Sequence, residues 1–241
     1  MDDFRILTAA DSALVVEFGS AIDRKISDRV LALAETLKCT GLPGVTSVVA
    51  TFRSLCVNYD SLVTTGRELE GAIASLLTTA GPVSRARRLW HIPVCYDAGF
   101  APDLESVATA TGLRPADVFA LHAGEAYHVY MIGFVPGYPY MGDLPAKLHL
   151  PRRKDPRTRV PPGSVAIATS MTAVYPYESP GGWHLIGTTP VRFFDPESDG
   201  GALLRPGDAV KFEPVTPEKF SDIRRATERG SFVPESEEIA A

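Results

Sequence analysis

Cysteine is scarce. Cys39, Cys56 and Cys95 are the only three in 241 residues, and they stand far apart. The count is odd and no Cys-x-x-Cys pair occurs, which argues against a disulfide framework or a thiolate zinc site. The three read as ordinary buried thiols of a reducing compartment. No run approaches the ~18 consecutive apolar residues of a membrane helix. The opening Met1-Asp2-Asp3-Phe4-Arg5 has no apolar segment, so no secretory leader is expected and the expected location is the cytoplasm. Positive charge is also in deficit. Lys plus Arg total 24 against 29 Asp plus Glu, a formal net charge of −5. A general nucleic-acid binder would be basic, so neither nucleic acid nor membrane is an expected partner.

Several reaction signatures are missing. There is no Gly-x-x-x-x-Gly-Lys-Ser/Thr phosphate loop and no Gly-x-Gly-x-x-Gly fingerprint. No Gly-x-Ser-x-Gly elbow occurs. His91, His122, His128, His149 and His184 form no His-x-x-x-His pair, so no metal site is expected. A glycine-rich amidase serine run and a biotin-carrier Met-Lys-Met are absent too. These gaps exclude a self-sufficient kinase or hydrolase.

What is present suits a folded core: 45% apolar and 22% charged residues, close to soluble averages. Gly and Pro number 20 each, and 23 of those 40 fall between Gly133 and Pro214. This shift predicts two domains, 1–82 and 83–241, with the boundary between Gly81 and Leu89. The first reads as ββαββα, an α+β layer with both helices on one face of a sheet. Its strands are 4–8, 13–18, 45–52 and 55–59. Its helices are one capped by Asp23 and running to about Lys38, and one over 65–78. In the second, a strand over 89–96 precedes a helix capped by Asp103 and another opened by Arg114-Pro115. Short strands then follow at 127–132, 164–168, 172–176, 183–187, 190–194 and 209–213. That spacing predicts a barrel or sandwich. After Thr216 one helix and a frayed Ser/Glu-rich tail are expected.

Four segments could carry chemistry. Gly133-Phe134-Val135-Pro136-Gly137-Tyr138-Pro139-Tyr140 is a stiff loop displaying three rings, suited to binding at low entropic cost; a structural loop packed on the sheet is the alternative. Pro151 to Arg159 holds five cations within eight residues. It reads as an anion-attracting patch or as a solvated basic loop. Val160-Pro161-Pro162-Gly163-Ser164 reads as a type II turn leading into a strand, with Ser164 a ligand contact or a strand-edge hydroxyl. Ser179-Pro180-Gly181-Gly182-Trp183 could present adjacent N–H groups as an anion nest beside an indole, or be a tight hairpin. His122 is the acid/base candidate, at a helix end where a cation is favoured.

In this order the motifs resemble a known family. The block from His122 through Tyr127–Tyr140 carries the resemblance. So do Pro151-Arg152, Arg157, Val160–Ala168, Tyr175-Pro176 and Ser179–Pro190. The chain is identified as a member of the family of the B subunits of bacterial ATP-dependent 5-oxoprolinase. That family is also known as allophanate hydrolase subunit 1, the carboxyltransferase-domain subunit or the Kip-type histidine-kinase inhibitor. The resemblance implies a small α+β domain followed by a cyclophilin-like β-barrel. It implies a paired C subunit with a related barrel and an A subunit of the lactam-utilisation family. ATP, with Mg, is expected in the assembled complex, and no cofactor is expected to be firmly bound by this chain alone. The expected activity is ATP-coupled opening of the 5-oxoproline lactam to glutamate, with the chain inactive by itself. Candidate catalytic groups are His122, Arg152 and Arg157. Candidate substrate contacts are Phe134, Tyr138, Tyr140, Ser164, Ser179, Gly181, Gly182 and Trp183. The loops 133–140, 152–159 and 179–183 are expected to converge. Two alternatives stay open: a module that docks on a histidine kinase, and half of a biotin-dependent urea- or allophanate-type carboxyltransferase. Relative to the family pattern, Tyr138 stands where Phe is common, Pro162 where Ala is common and Thr188 where Arg is common.

Overall fold

The computed structural model describes residues 4–79, 86–198 and 200–239. The chain divides into two compact units, the first ending at Ala86 and the second beginning at Arg87. Most of the expected boundary, 81–85, lies outside the described residues.

The first unit runs β1 (Arg5–Thr8), β2 (Ala13–Glu17), α1 (Arg24–Thr40), β3 (Val45–Ala50), β4 (Ser54–Tyr59) and α2 (Gly66–Thr79). Its sheet is antiparallel in the order β1-β2-β4-β3. Asp23 caps α1 by accepting from the Lys25 and Ile26 N–H groups at 2.8 and 3.3 Å. Gly41, at φ +60°, ends it with a left-handed turn. The helical period then places Val30, Leu33, Ala34 and Leu37 on one face. They share a core with Leu69 and Ile73 of α2 and with Leu14, Val16, Leu55 and Val57 of the sheet.

The second unit carries an eight-stranded sheet with α3 (Leu104–Thr111), α4 (Pro115–Gly124) and α5 (Pro217–Glu228). The strands are β5 (Arg87–Val94), β6 (Ala126–Ile132), β7 (Pro139–Gly142), β9 (Ser164–Ala168), β10 (Met171–Val174), β12 (His184–Thr188), β13 (Ala209–Pro214) and β14 (Ser236–Ile239). A separate ribbon pairs β8 (Arg157–Val160) with β11 (Ser179–Gly181). The large sheet is ordered β12-β9-β10-β7-β6-β13-β5-β14. Among the described residues only the β13–β5 pairing is parallel. One core fills this unit, from Ile92 and Val94 through Tyr127, Val129 and Met141 to Ile167, Ile186 and Phe212.

The architecture is mixed α and β with sheet predominating, and several expectations change. Among the described residues no closed barrel is found, because the ladders leave β12 and β14 as free ends. Among the described residues no ladder joins β12 to β5; Cys95, just past the end of β5, only exchanges two hydrogen bonds with Thr188, the last residue of β12, as an isolated bridge. Residues 190–194 form no strand, and Phe194 makes only a lone bridge to Ala202. The polar tail is not frayed at 236–239, where β14 pairs with β5 in register from Ser236–Trp90 to Ile239–Arg87. Of the three thiols only Cys95 is buried; Cys39, near the end of α1, is exposed and Cys56 is half-buried. Among the described residues no helix is long and apolar enough to cross a membrane.

Candidate functional site

The three loops singled out in the sequence enclose one cavity of about 310 Å³. Phe134, Tyr138, Tyr140, Arg152, Pro156, Tyr175, Pro180, Gly181, Gly182 and Trp183 line it. That volume sits at the lower end of small-molecule sites, ~300–1,000 Å³. The rings build its walls. Tyr138, Tyr175 and Trp183 are buried, with exposures of 2, 2 and 5%. Tyr138 meets Tyr175 edge to face at 5.1 Å between centroids, and Tyr140 meets Trp183 at 6.1 Å. Such edge-to-face packing fixes each ring against its neighbours. Phe134 stands at the rim, 61% exposed. Its φ of +71° is a left-handed conformation that a bulky residue rarely adopts. Gly137, at φ +76°, is excused the same cost and lies where a Cβ would come within 2.8 Å of the Phe193 carbonyl oxygen.

Arg152 supplies the single charge on the lining. Its guanidinium carbon lies 5.9 Å from the Trp183 ring centroid, within cation–π range. Burial pushes the phenols of Tyr138, Tyr140 and Tyr175 above the ordinary tyrosine range, and the Arg152 charge opposes this in all three. They are neutral hydrogen-bonding groups at pH 7, facing one fixed cation.

Gly181 and Gly182 are not an anion nest. Neither adopts positive φ, whereas a nest alternates right- and left-handed backbone. Gly181 instead pairs with Arg157 in the β8–β11 ribbon. A Cβ there would fall 2.3 Å from the Tyr175 hydroxyl oxygen. Glycine is required because the ring fills that space.

The other candidates lie off the lining. Arg157 and Arg153 both turn to Asp103, Arg157 Nη2 donating to Oδ1 at 2.7 Å and Arg153 Nη1 to the same oxygen at 3.1 Å. Asp103 also accepts from the Leu185 N–H at 2.7 Å. It is the N-cap residue of α3, as expected, and its carbonyl accepts from the Val107 N–H at 2.8 Å, but its side chain makes no cap hydrogen bond. Burial raises its carboxyl, but the hydrogen bonds from Arg157 and the Leu185 N–H, with the charges of both arginines, outweigh this and hold it below the usual carboxylate range. Ser164 Oγ donates back to the Pro161 carbonyl at 2.7 Å, as a turn requires. Ser179 is buried in β11, with an Oγ that has no partner among the described residues.

His122, in the last turn of α4 as expected, is wholly buried. Its Nδ1 lies 2.8 Å from the Tyr96 hydroxyl and its Nε2 2.8 Å from Thr172 Oγ1. The Thr172 hydroxyl donates to the Ala166 carbonyl at 3.1 Å, so its oxygen accepts from His122. That places the imidazole proton on Nε2 and makes Nδ1 the acceptor from Tyr96. Burial lowers the pKa to about 3, so His122 is a neutral link in a buried chain of hydrogen bonds. Among the described residues no group of three or more His, Cys, Asp or Glu could hold a metal ion.

Sequence reasoning left out Tyr175 and Asp103 from the site. Tyr175 lay within the resembling block, but nothing local marked its ring as a wall. Asp103 sits 50 and 54 residues from its arginines, and its position before a helix offered a sufficient local explanation.

Residues 4–204 match the family model for the carboxyltransferase domain, subdomain C and D. The chain belongs to that family. It is 36% identical over 231 residues to the 5-oxoprolinase B subunit of Bacillus subtilis (strain 168), covering 90% of this chain and 95% of the relative. To the 5-oxoprolinase B subunit of Escherichia coli O157:H7 it is 37% identical, covering 89% and 97%. Among solved structures, TTHA0988 superimposes with a TM-score of 0.76 at 38% identity over 85% of this chain, which spans only 40% of that longer one. The Kluyveromyces lactis urea amidolyase matches at TM-score 0.80 and 20% identity, covering 98% of this chain and 16% of its own, and shares the fold.

Proposed function

We propose that this carboxyltransferase-domain chain is the B subunit of an ATP-dependent 5-oxoprolinase, which opens the lactam of 5-oxoproline to glutamate together with the A and C subunits in the cytoplasm. One observation carries the reading. Two proteins named as the B subunit of 5-oxoprolinase align with this chain over about nine-tenths of its length and nearly all of theirs. The aromatic cavity is the proposed substrate contact. Its size fits a small flat ring, and Arg152 suits a carboxylate. The buried tyrosine hydroxyls can bond the lactam amide.

ATP, with magnesium, would supply the phosphoryl group that makes the lactam oxygen a leaving group. Such transfer depends on positioning and positive charge more than on a covalent nucleophile. In this chain Arg152 and the ring walls would position the substrate and exclude water. The test is reconstitution of the purified proteins. 5-Oxoproline-dependent ATP hydrolysis is expected from the complex and not from the isolated chain. Equal turnover by the isolated chain, or none by the complex, would overturn this reading. The family description and a 23% identical putative urea carboxylase of Emericella nidulans favour a second reading, carboxyl transfer to a urea-like amide. Biotin-dependent activity of the complex would select it.

A further inference from the structure

The basic segment after Pro151 divides its charges unequally. Arg159 pairs with Glu178 at 2.9 Å, both side chains exposed. Arg153 and Arg157 share one oxygen of Asp103, whose side chain is only 5% exposed. Arg152 has no carboxylate partner among the described residues, and it is the only charge on the cavity lining. The clamp on its neighbours reaches the cavity through the backbone. Arg153 N–H donates to the Gly182 carbonyl at 2.7 Å, and Arg157 stands in register with Gly181. Asp103 also bonds Leu185, two residues past Trp183. One buried carboxylate therefore ties both flanks of the Arg152–Trp183 contact.

We propose that Asp103 is the positioning and specificity-determining residue of this site: by clamping Arg153 and Arg157 it fixes the 151–157 loop so that Arg152 alone presents its charge to the ligand. This rests on the reading of the cavity as a substrate site. A single cation against neutral phenols matches a monocarboxylate. Polyphosphates need several converging cations, which Asp103 keeps occupied. Without its charge, two arginines are released beside the cavity and Arg152 loses its fixed neighbour.

The test has a readout independent of turnover. The chain contains two tryptophans, so 5-fluorotryptophan labelling gives two 19F resonances, assigned with Trp90→Phe. In Asp103→Asn the Trp183 resonance should move toward its position in Arg152→Gln. In the assembled complex, KM for 5-oxoproline should rise by roughly 10-fold, part of the loss expected when a hydrogen bond to a charged group is removed outright, with kcat changing less. Asp103→Glu should restore part of both. Should Asp103→Asn fail to fold, the double variant Arg153→Gln/Arg157→Gln releases the same clamp and should shift the same resonance. A folded Asp103→Asn with Trp183 unmoved and KM unchanged would overturn the proposal and leave Asp103 a stability contact. If the wild-type complex ignores 5-oxoproline, the functional reading fails, while the Trp183 resonance still decides the role of Asp103.

Discussion

Arg152 stands over Trp183 with its guanidinium carbon 5.9 Å from the ring centroid, while its neighbour Arg153 is turned away to Asp103. Adjacent arginines thus have different work. Arg152→Ala should raise KM for 5-oxoproline in the assembled complex by roughly 10- to 100-fold, because a hydrogen bond to a charged group contributes ~1.5–3 kcal/mol. The residue is exposed, so the variant should melt at the wild-type temperature.

Arg157→Ala should behave differently. It removes one partner of a buried carboxylate, which costs several kcal/mol when fully buried. Arg157 itself is about a quarter exposed and Arg153 remains, so about 2 kcal/mol is expected. For a unit of this size that is a fall in melting temperature of about 4–8 °C. A calorimetric scan checks it. An unchanged transition would show that Arg153 alone satisfies Asp103.

The buried histidine predicts acid sensitivity. Its folded pKa is lowered from the ordinary 6.5 to about 3. The unfolded chain therefore binds a proton in that window that the folded chain refuses. Stability is fully present above pH 6.5 and falls as pH drops toward 3, by up to ~1.4 kcal/mol per unit. Asp103, with its carboxyl held low, adds a loss in the acid part of that range. His122→Gln should lower stability at pH 7 yet flatten the dependence between pH 6.5 and 4. Chemical denaturation at stepped pH measures both, and an equally steep wild-type slope in the variant would refute the assignment.

Gly181→Ala should close the cavity. The added methyl would fall 2.3 Å from the Tyr175 hydroxyl oxygen and 2.8 Å from its ring carbon Cζ. Tyr175 is 2% exposed and cannot swing out freely. Overpacking of this kind costs typically ~1–3 kcal/mol. The expected result is a folded protein with a lower melting temperature and weakened ligand binding in a titration.

Phe134→Gly should separate function from stability. Glycine relieves the left-handed strain at φ +71°, ~1–2 kcal/mol for a residue with a Cβ. The ring it removes is mostly in water. Melting temperature should hold or rise while affinity for the substrate falls. A drop in both would mean that the contact of Phe134 with Tyr138, 5.4 Å between centroids, matters more than the strain.

Much of the fold was legible where local pattern and burial agree. Asp23, the spaced Val30, Leu33 and Leu37, and Gly41 mark α1 without any distant contact. The short strands were harder. β7 opens on Pro139, and β11 contains Pro180 between Ser179 and Gly181, so both read as loop. Tertiary pairing makes them strands. β14 is Ser-Glu-Glu-Ile, with no alternating apolar face, and only the neighbouring β5 backbone gives it order. At the site, the ring-bearing loop, Arg152 and Trp183 were visible as motifs. His122 was placed at the right helix end, but its full burial was not legible, because burial is not local information.

By itself the sequence determined the family, the elements with strong helical or alternating period, and the loops that hold rings and cations. Those follow from residue type and near neighbours along the chain. Tertiary structure alone decided which cations stay free, which histidine loses its proton and which glycine makes room for a ring. Asp103 meets its arginines across 50 and 54 residues, and Tyr96 meets His122 across 26. Charge and protonation there depend on desolvation and on partners that only folding brings within about 3 Å.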